Sequence, residues 1–252
     1  MKILSLLKQV PDPNSLRFDA DGKLAPNTAR VVNEYDAYGL EAALRMKAAD
    51  DGVELIVLSI GGASAKDAVS RGLAMGADRG IHVISDAAGR GSLETAAAVA
   101  QIAGDEGCDL IWIGHESSDS GTGNLGPQLS ALLHVPFVTN VVGFALEDGG
   151  TALITREIED GHAQVKAALP LVLCALSGLD EPRYPSLKGI MAARRKQIDE
   201  IAFDALDIAP GDVVWGRLRE EERTISGTLI DVDDPEEAAL KLIELLRERD
   251  LI

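Results

Sequence analysis

Short apolar runs alternate with longer amphipathic segments through the first two-thirds of the chain. Ile3–Leu7 predicts a strand, and RFDADGKL after it carries an Asp21-Gly22 hairpin turn. From Glu34 to about Ala49, apolar residues at Leu40, Ala43, Leu44 and Met46 fall at helical spacing. Val53–Ile60 (VELIVLSI) is a buried-strand pattern. A helix follows from Ser64, where Ser64 and Asp67 make an S-x-x-D start, and it stops near Met75-Gly76. The same reading gives a strand at Ile81–Ile84, a helix from an N-cap Ser92 to about Ala103, a strand at Leu110–Ile113 and a helix at Leu125–Leu133. Further strand patterns occupy Pro136–Val142, Ala152–Ile158, His162–Leu169 and Leu171–Leu176.

The strand–helix alternation with short connections predicts an α/β fold, an open and mostly parallel Rossmann-like sheet with helices on both faces. Turns at Gly149-Gly150 and Asp160-Gly161 add a small antiparallel extension. From Gly178 the pattern breaks into a Pro- and Gly-punctuated loop and a short helix, and residues 199–234 are acidic and weakly patterned. The last helix starts at Asp234, with Pro235 at its first position and acids in its first turn. These breaks predict a nucleotide-binding α/β domain over 1–196 and a C-terminal arm over 197–252.

Composition narrows the function. Against 24 Lys+Arg stand 41 Asp+Glu, a formal charge of −17, while 46 % of residues are apolar. That apolar share suffices for a packed core and argues against intrinsic disorder. The negative charge repels phosphate backbones, so nucleic acid is not an expected partner. No run reaches the ~20 apolar residues of a membrane span, and the N-terminal apolar run breaks at Lys8, too short for a signal peptide. No membrane insertion is expected, and a cytoplasmic location is. Cys108 and Cys174 sit in apolar runs without metal-ligand spacing and read as core residues.

Two loops carry candidate chemistry. Gly121-Thr122-Gly123-Asn124-Leu125-Gly126 matches G-x-G-x-x-G, but seven residues separate it from the preceding strand, whereas a dinucleotide turn follows its strand at once. A loop rich in Gly, Ser and Thr leading into a helix can still hold a phosphate through backbone N–H groups. Ser59-Ile60-Gly61-Gly62 puts small residues at the carboxyl end of another strand, where open α/β sheets bind ligands. No Ser or Cys lies in a nucleophile elbow and His82, His115, His134 and His162 show no ligand spacing, so no catalytic residue is assigned. The run Arg194-Arg195-Lys196 reads as a solvated basic surface.

Several segments together resemble the beta subunit of electron-transfer flavoprotein. They are Lys8-Gln9-Val10-Pro11-Asp12, Asn33-Glu34-Tyr35-Asp36 with Glu41-Ala42-Ala43-Leu44-Arg45, Ala74-Met75-Gly76-Ala77-Asp78-Arg79, Arg156-Glu157 with Asp160-Gly161, and Asp180-Glu181-Pro182-Arg183-Tyr184-Pro185-Ser186-Leu187. The resemblance runs in order from residue 2 to about 199, and the arm matches less clearly.

It implies an electron carrier and not an enzyme in its own right. Such a carrier is a heterodimer whose alpha subunit holds most of a redox FAD, and the arm would pack on that subunit. Electrons would pass from primary flavin-dependent dehydrogenases to a downstream oxidoreductase. The beta subunit of this family buries AMP; in the bifurcating branch a second FAD takes that place. Carried over residue by residue, the pocket here would use Leu6, Asn33, Glu34, Tyr35, Asp36, Ser59 and the loop Gly114-His115-Glu116-Ser117-Ser118-Asp119-Ser120-Gly121-Thr122-Gly123-Asn124-Leu125-Gly126. Tyr35 matches an aromatic near the flavin ring of the alpha subunit. Ser117-Ser118-Asp119 is similar to AMP-binding members, while the branched apolar Leu125 before Gly126-Pro127 is also seen in flavin-binding relatives. Tyr184 and Leu187 fall in the loop that docks dehydrogenases, Leu187 at its anchoring leucine. The reading outside the family is a nucleotide-binding stress-type sensor or hydrolase, which would need a catalytic base or phosphate lysine in the 114–126 loop; that loop has no lysine.

Overall fold

The structure, a computed structural model, describes residues 1–19, 21–25, 27–85, 90–147, 149–211, 213 and 227–252. The chain divides into two compact units, Met1–Arg217 and Leu218–Ile252. The first holds a nine-stranded sheet. In chain order its strands are β1 (Lys2–Leu6), β4 (Glu54–Gly61), β5 (Arg79–Ile84), β6 (Leu110–Gly114), β7 (Phe137–Glu147), β8 (Thr151–Ile158), β9 (Gly161–Ala168), β10 (Leu171–Ala175) and β11 (Ile198–Ala202). A separate antiparallel pair joins β2 (Gln9–Pro11) and β3 (Arg30–Val32). The large sheet runs β11-β5-β4-β1-β6-β10-β7-β8-β9, parallel from β11 to β7 and antiparallel over β7–β9.

Alternation along the buried strands sends their side chains to opposite faces. On one face Ile3, Leu7, Leu55, Val57, Trp112 and Leu173 pack beneath α1 (Glu34–Ala49) and α2 (Lys66–Met75). On the other, Leu4, Leu6, Ile56, Leu58, Ile111 and Ile113 pack against α3 (Ser92–Glu106) and α4 (Leu125–Leu133). Every core strand is apolar on both faces, which is why the sequence shows continuous runs there.

The expected α/β architecture with its antiparallel extension is what forms, with three local differences. Ser64 does not cap α2: a 3-10 turn over Ala63–Ala65 precedes the helix, and the Ser64 hydroxyl donates to Gln9 Oε1 (2.7 Å). Ser92 is the first residue of α3 instead of its cap; Gly91 takes the cap position and donates its N–H to Glu94 Oε2 (2.9 Å). Beyond the break in composition near residue 196, the chain adds β11 to the sheet edge beside β5, in register from Ile198↔Gly80 to Ala202↔Ile84. β11 (IDEIA) carries Asp199 and Glu200 in its middle and so lacks the apolar run by which core strands of the same length are read.

Between β10 and β11 the chain crosses from the middle of the sheet to its edge. This strap, residues 176–197, includes α5 (Leu187–Ala193) and lies on the α1–α2 side. Three contacts fix it. Arg183 grips the buried Glu41 of α1 through its Nε (2.9 Å), Nη2 (2.7 Å) and backbone N–H (3.1 Å), and Asp180 pairs with Arg45 of the same helix. Burial alone would raise Glu41, but the Arg183 hydrogen bonds outweigh it and hold the carboxyl below its usual range. Lys196, read as surface from the sequence, is half-buried, with Nζ bonded to the Leu73 (3.2 Å) and Ala77 carbonyls at the C-terminal end of α2. The second unit contains α6 (Pro235–Glu248), whose Asp234 side chain caps the Glu236 N–H (3.3 Å); the arm's residues 214–226 lie outside the described residues.

Candidate functional site

The carboxyl ends of β1, β4 and β6 meet in a cavity of about 360 Å3. Its apolar wall comes from Leu6, Leu7, Leu58, Ile60, Ile113 and Leu125; its polar wall comes from Lys8, Asn33, Asp36, Ser59, Arg90, Thr95 and the loop after β6. The site lies where an open parallel sheet places its ligands. It forms here because β1 and β6 are neighbours in the sheet although 107 residues separate Lys2 from its partner Asp109.

Asp36 is the keystone of this end. One carboxylate oxygen accepts the Lys8 N–H (2.7 Å) and the other the Gly114 N–H (2.8 Å), so a single side chain in the first turn of α1 joins the chain after β1 to the last residue of β6. Burial pushes Asp36 up to about 6, although both backbone hydrogen bonds pull the other way. Asn33, 1 % exposed, does the same for the loop: its Nδ2 donates to the Glu116 carbonyl (2.8 Å) and its Oδ1 accepts the Ser118 N–H (3.2 Å). Lys8 reaches across to Asp119 Oδ1 (2.6 Å) and Ser117 Oγ (3.0 Å), and Ser117 binds Asp119 (2.6 Å) and Ser120 (2.9 Å) in turn. The loop is therefore preformed by side chains from α1 and from the end of β1.

Loop backbone and helix start suit an anion. Gly121 and Gly123 adopt left-handed φ of 57° and 59°, and Asn124 starts α4 with no side-chain cap, leaving the first-turn N–H groups of that helix to other partners. The Ser59 hydroxyl lines the cavity, buried and without a hydrogen-bond partner among the described residues. Buried polar groups are normally satisfied, so this one is an unfilled demand inside the cavity.

Most residues singled out from the sequence converge here. Leu6, Asn33, Asp36, Ser59, Gly114, His115, Glu116, Ser117, Ser120, Thr122, Gly123, Asn124 and Leu125 line the cavity. Glu34, Tyr35, Ser118, Asp119, Gly121 and Gly126 do not. Tyr35 stands edge-on to His115, ring centroids 6.2 Å apart, and Asp119 acts through Lys8 and Ser117. Gly126 also serves packing. A β-carbon there would lie 2.5 Å from Phe137 Cε2 and 2.7 Å from Cys174 Sγ, so the glycine lets α4 settle on the sheet. Sequence reasoning missed Lys8, Arg90 and Thr95. Arg90 follows β5 and stacks 3.7 Å from the Phe203 ring centre, with hydrogen bonds to Ser85 Oγ (2.9 Å) and Asp204 Oδ1 (2.9 Å). Only Lys8 lay inside a recognisable motif, where its neighbours read as turn residues.

Among the described residues no His/Cys/Asp/Glu group could hold a metal, and no helix is long and apolar enough to cross a membrane. Cys108 and Cys174 are free, and burial pushes each thiol up to about 12, so both remain protonated packing groups. Tyr184 and Leu187 lie away from the cavity on the strap, 88 % and 76 % exposed, with Met191 exposed beside them on α5.

A sequence model described as electron transfer flavoprotein domain matches residues 21–206. The electron transfer flavoprotein subunit beta of Megasphaera elsdenii is 32 % identical over 260 residues, covering 95 % of both chains. The subunit of the same description from Bacillus subtilis is 32 % identical over 256 residues, covering 98 % of both. The caffeyl-CoA reductase–Etf complex subunit CarD of Acetobacterium woodii is 33 % identical over 215 residues, 83 % of this chain and 81 % of that one. The chain belongs to the electron transfer flavoprotein family, on its beta-subunit side.

Proposed function

We propose that this chain is one half of a heterodimeric electron carrier and that its cavity holds AMP. The observation that carries the nucleotide reading is the unpartnered Ser59 hydroxyl in a cavity with one apolar wall and one loop-built polar wall. Leu6, Leu58, Ile60 and Ile113 offer surface to a purine ring, and Ser59 offers it a hydrogen bond. The 120–125 turn and the first N–H groups of α4, with Arg90 at the rim, suit the phosphate. About 360 Å3 lies near the lower end of the ~300–1,000 Å3 of small-molecule sites, which fits a mononucleotide better than a dinucleotide.

The partner in this reading is an alpha subunit holding a FAD, which supplies electron storage when bound. The second unit would reach that subunit through α6, which exposes Leu240, Leu242 and Ile243. This chain's own residues carry no acid–base or nucleophilic step. They hold the nucleotide, order the loop and present a docking surface to flavin-dependent dehydrogenases and to the downstream acceptor.

A second reading, FAD in place of AMP as in a bifurcating complex, is favoured by the relationship to CarD, a subunit of a complex with a reductase. Acid extraction of the purified heterodimer separates the two. AMP and FAD at one each per heterodimer support the first; two FAD and no AMP support the second; neither nucleotide overturns both.

The docking reading predicts the behaviour of Leu187. The residue is largely exposed, so Leu187→Ala is expected to leave the melting temperature within about 1–2 °C. If it anchors a dehydrogenase, the apparent KM of that enzyme for the carrier should rise by roughly 5- to 150-fold. An unchanged KM would remove the anchor role.

A further inference from the structure

The end of β4 lends Ser59 and Ile60 to the cavity wall, and the turn that follows them, Gly61 to Ala65, is held from two sides. From outside, Gln9 and Ser64 exchange hydrogen bonds: Gln9 Nε2 donates to the Ser64 carbonyl and Ser64 Oγ donates to Gln9 Oε1, each at 2.7 Å. From inside comes His82 of β5, 1 % exposed, whose Nε2 lies 3.3 Å from the Gly61 carbonyl and 3.2 Å from the Gly62 carbonyl. Both neighbours are acceptors only, so Nε2 carries the proton and donates to the pair. The other ring nitrogen, Nδ1, is buried without a hydrogen-bond partner, and the nearest carboxylate oxygen, on Glu200, is 3.8 Å away and engaged with Lys66 at 3.0 Å. The ring therefore binds through one nitrogen alone. Gly61 and Gly62 have no side chains with which to fix their own turn, and the backbone supplies one further bond to each carbonyl, from Ser85 N–H (3.0 Å) and Ala65 N–H (2.9 Å).

We infer that His82 is a positioning residue for the nucleotide site: its Nε2–H pins the Gly61-Gly62 turn and so sets the place of Ser59 and Ile60 in the cavity wall. His82 touches no part of the cavity itself and acts only through this turn. The inference rests on the nucleotide reading above and adds to it a residue from a neighbouring strand. Glutamine can place an N–H donor where Nε2 stands, asparagine only where Nδ1 stands.

The test measures AMP binding to the nucleotide-stripped heterodimer by calorimetry, with hydrogen exchange at the Ala65 and Ser85 amides as a second readout. His82→Asn is expected to weaken AMP by about tenfold, the equivalent of one net hydrogen bond, and to speed exchange at both amides. His82→Gln is expected to bring affinity back to within about threefold and to restore slow exchange. Wild-type binding with an equally tight His82→Asn overturns the positioning role alone. A His82→Gln variant as weak as His82→Asn also overturns it, since bulk and not the donor would then matter. If His82→Asn does not assemble, unrestored exchange in His82→Gln still decides against the donor. A wild-type heterodimer that takes up no AMP overturns the nucleotide reading and this role with it.

Discussion

Replacing Asp36 with asparagine is expected to reverse part of the protein's pH dependence. The carboxyl is fully buried and titrates at about 6 in the folded chain against 3.8 for the ordinary group. Between those values the folded state holds a proton that the unfolded state has lost, so the contribution of Asp36 to stability falls as pH rises. Roughly two units correspond to about 3 kcal/mol. Asp36→Asn has no such titration. The stability of wild type relative to the variant should therefore drop by about 3 kcal/mol from pH 4 to 6 and level off above. Glu41, Glu94 and Glu106 shift downward and give the opposite slope below about pH 4.5, but they are common to both proteins and cancel in the difference. Denaturant melts at four or five pH values measure it. A flat difference would mean that Asp36 is ionised in the fold without cost, and that the Lys8 and Gly114 N–H groups fully replace water.

The second large effect is expected at Arg183. Truncating it to alanine leaves the Glu41 carboxylate, 3 % exposed, with the backbone N–H of residue 183 at 3.1 Å and with Arg45 at 3.6 Å, itself more than half exposed. Breaking a buried pair from the side that strands the buried charge costs about 3–5 kcal/mol, and Arg45 recovers part of this, so Arg183→Ala should lose about 2–4 kcal/mol. Glu41→Gln should lose less, about 1 kcal/mol, because the half-exposed guanidinium regains water. The sign with pH follows from Glu41 lying below its usual range: the pair's contribution is present above about pH 4.5 and is lost as pH falls. Thermal melts of both variants at pH 7 and 4 test this. Equal losses in the two variants would show that burial of Glu41 carries no asymmetry. Arg183→Ala also frees the loop ahead of Tyr184 and Leu187, so under the proposed docking role dehydrogenase binding should weaken along with stability.

Much of the architecture was legible because its core strands are apolar on both faces. VELIVLSI and LIWI cannot be surface segments, and the helices between them carry clear 3.6-residue spacing. What escaped was short or held from a distance. β2, β3 and β11 have three to five residues each and gain their partners from elsewhere in the chain. Ser64 and Ser92 satisfied the local rule for a helix start, yet Gln9 and Gln128 claim their hydroxyls, Gln128 Nε2 donating to Ser92 Oγ at 3.1 Å. The loop after β6 could be recognised as a candidate because its chemistry is local: small, hydroxylated and before a helix. Arg90 and His82 could not, since nothing in their own neighbourhoods marks them, and Lys8, though inside a motif, gains its role only from Ser117 and Asp119 more than a hundred residues away. At Gly126 the missing side chain answers a demand for close packing against Phe137 and Cys174, which the motif alone does not reveal.

The place of β1 in the sheet has a consequence for how the chain is made. Lys2–Leu6 is synthesised before both of its neighbours: one edge waits for β4, some fifty residues on, and the other for β6, just past Asp109, the hydrogen-bond partner of Lys2 107 residues away. Until then a strand with Ile3, Leu4 and Leu6 to bury has two open edges. Long-range parallel pairing is the slow kind, and unpaired apolar edges recruit other chains. Folding rate and yield in this protein should respond more to what shields β1 until β4 and β6 have been made than to the strength of any contact in the finished sheet.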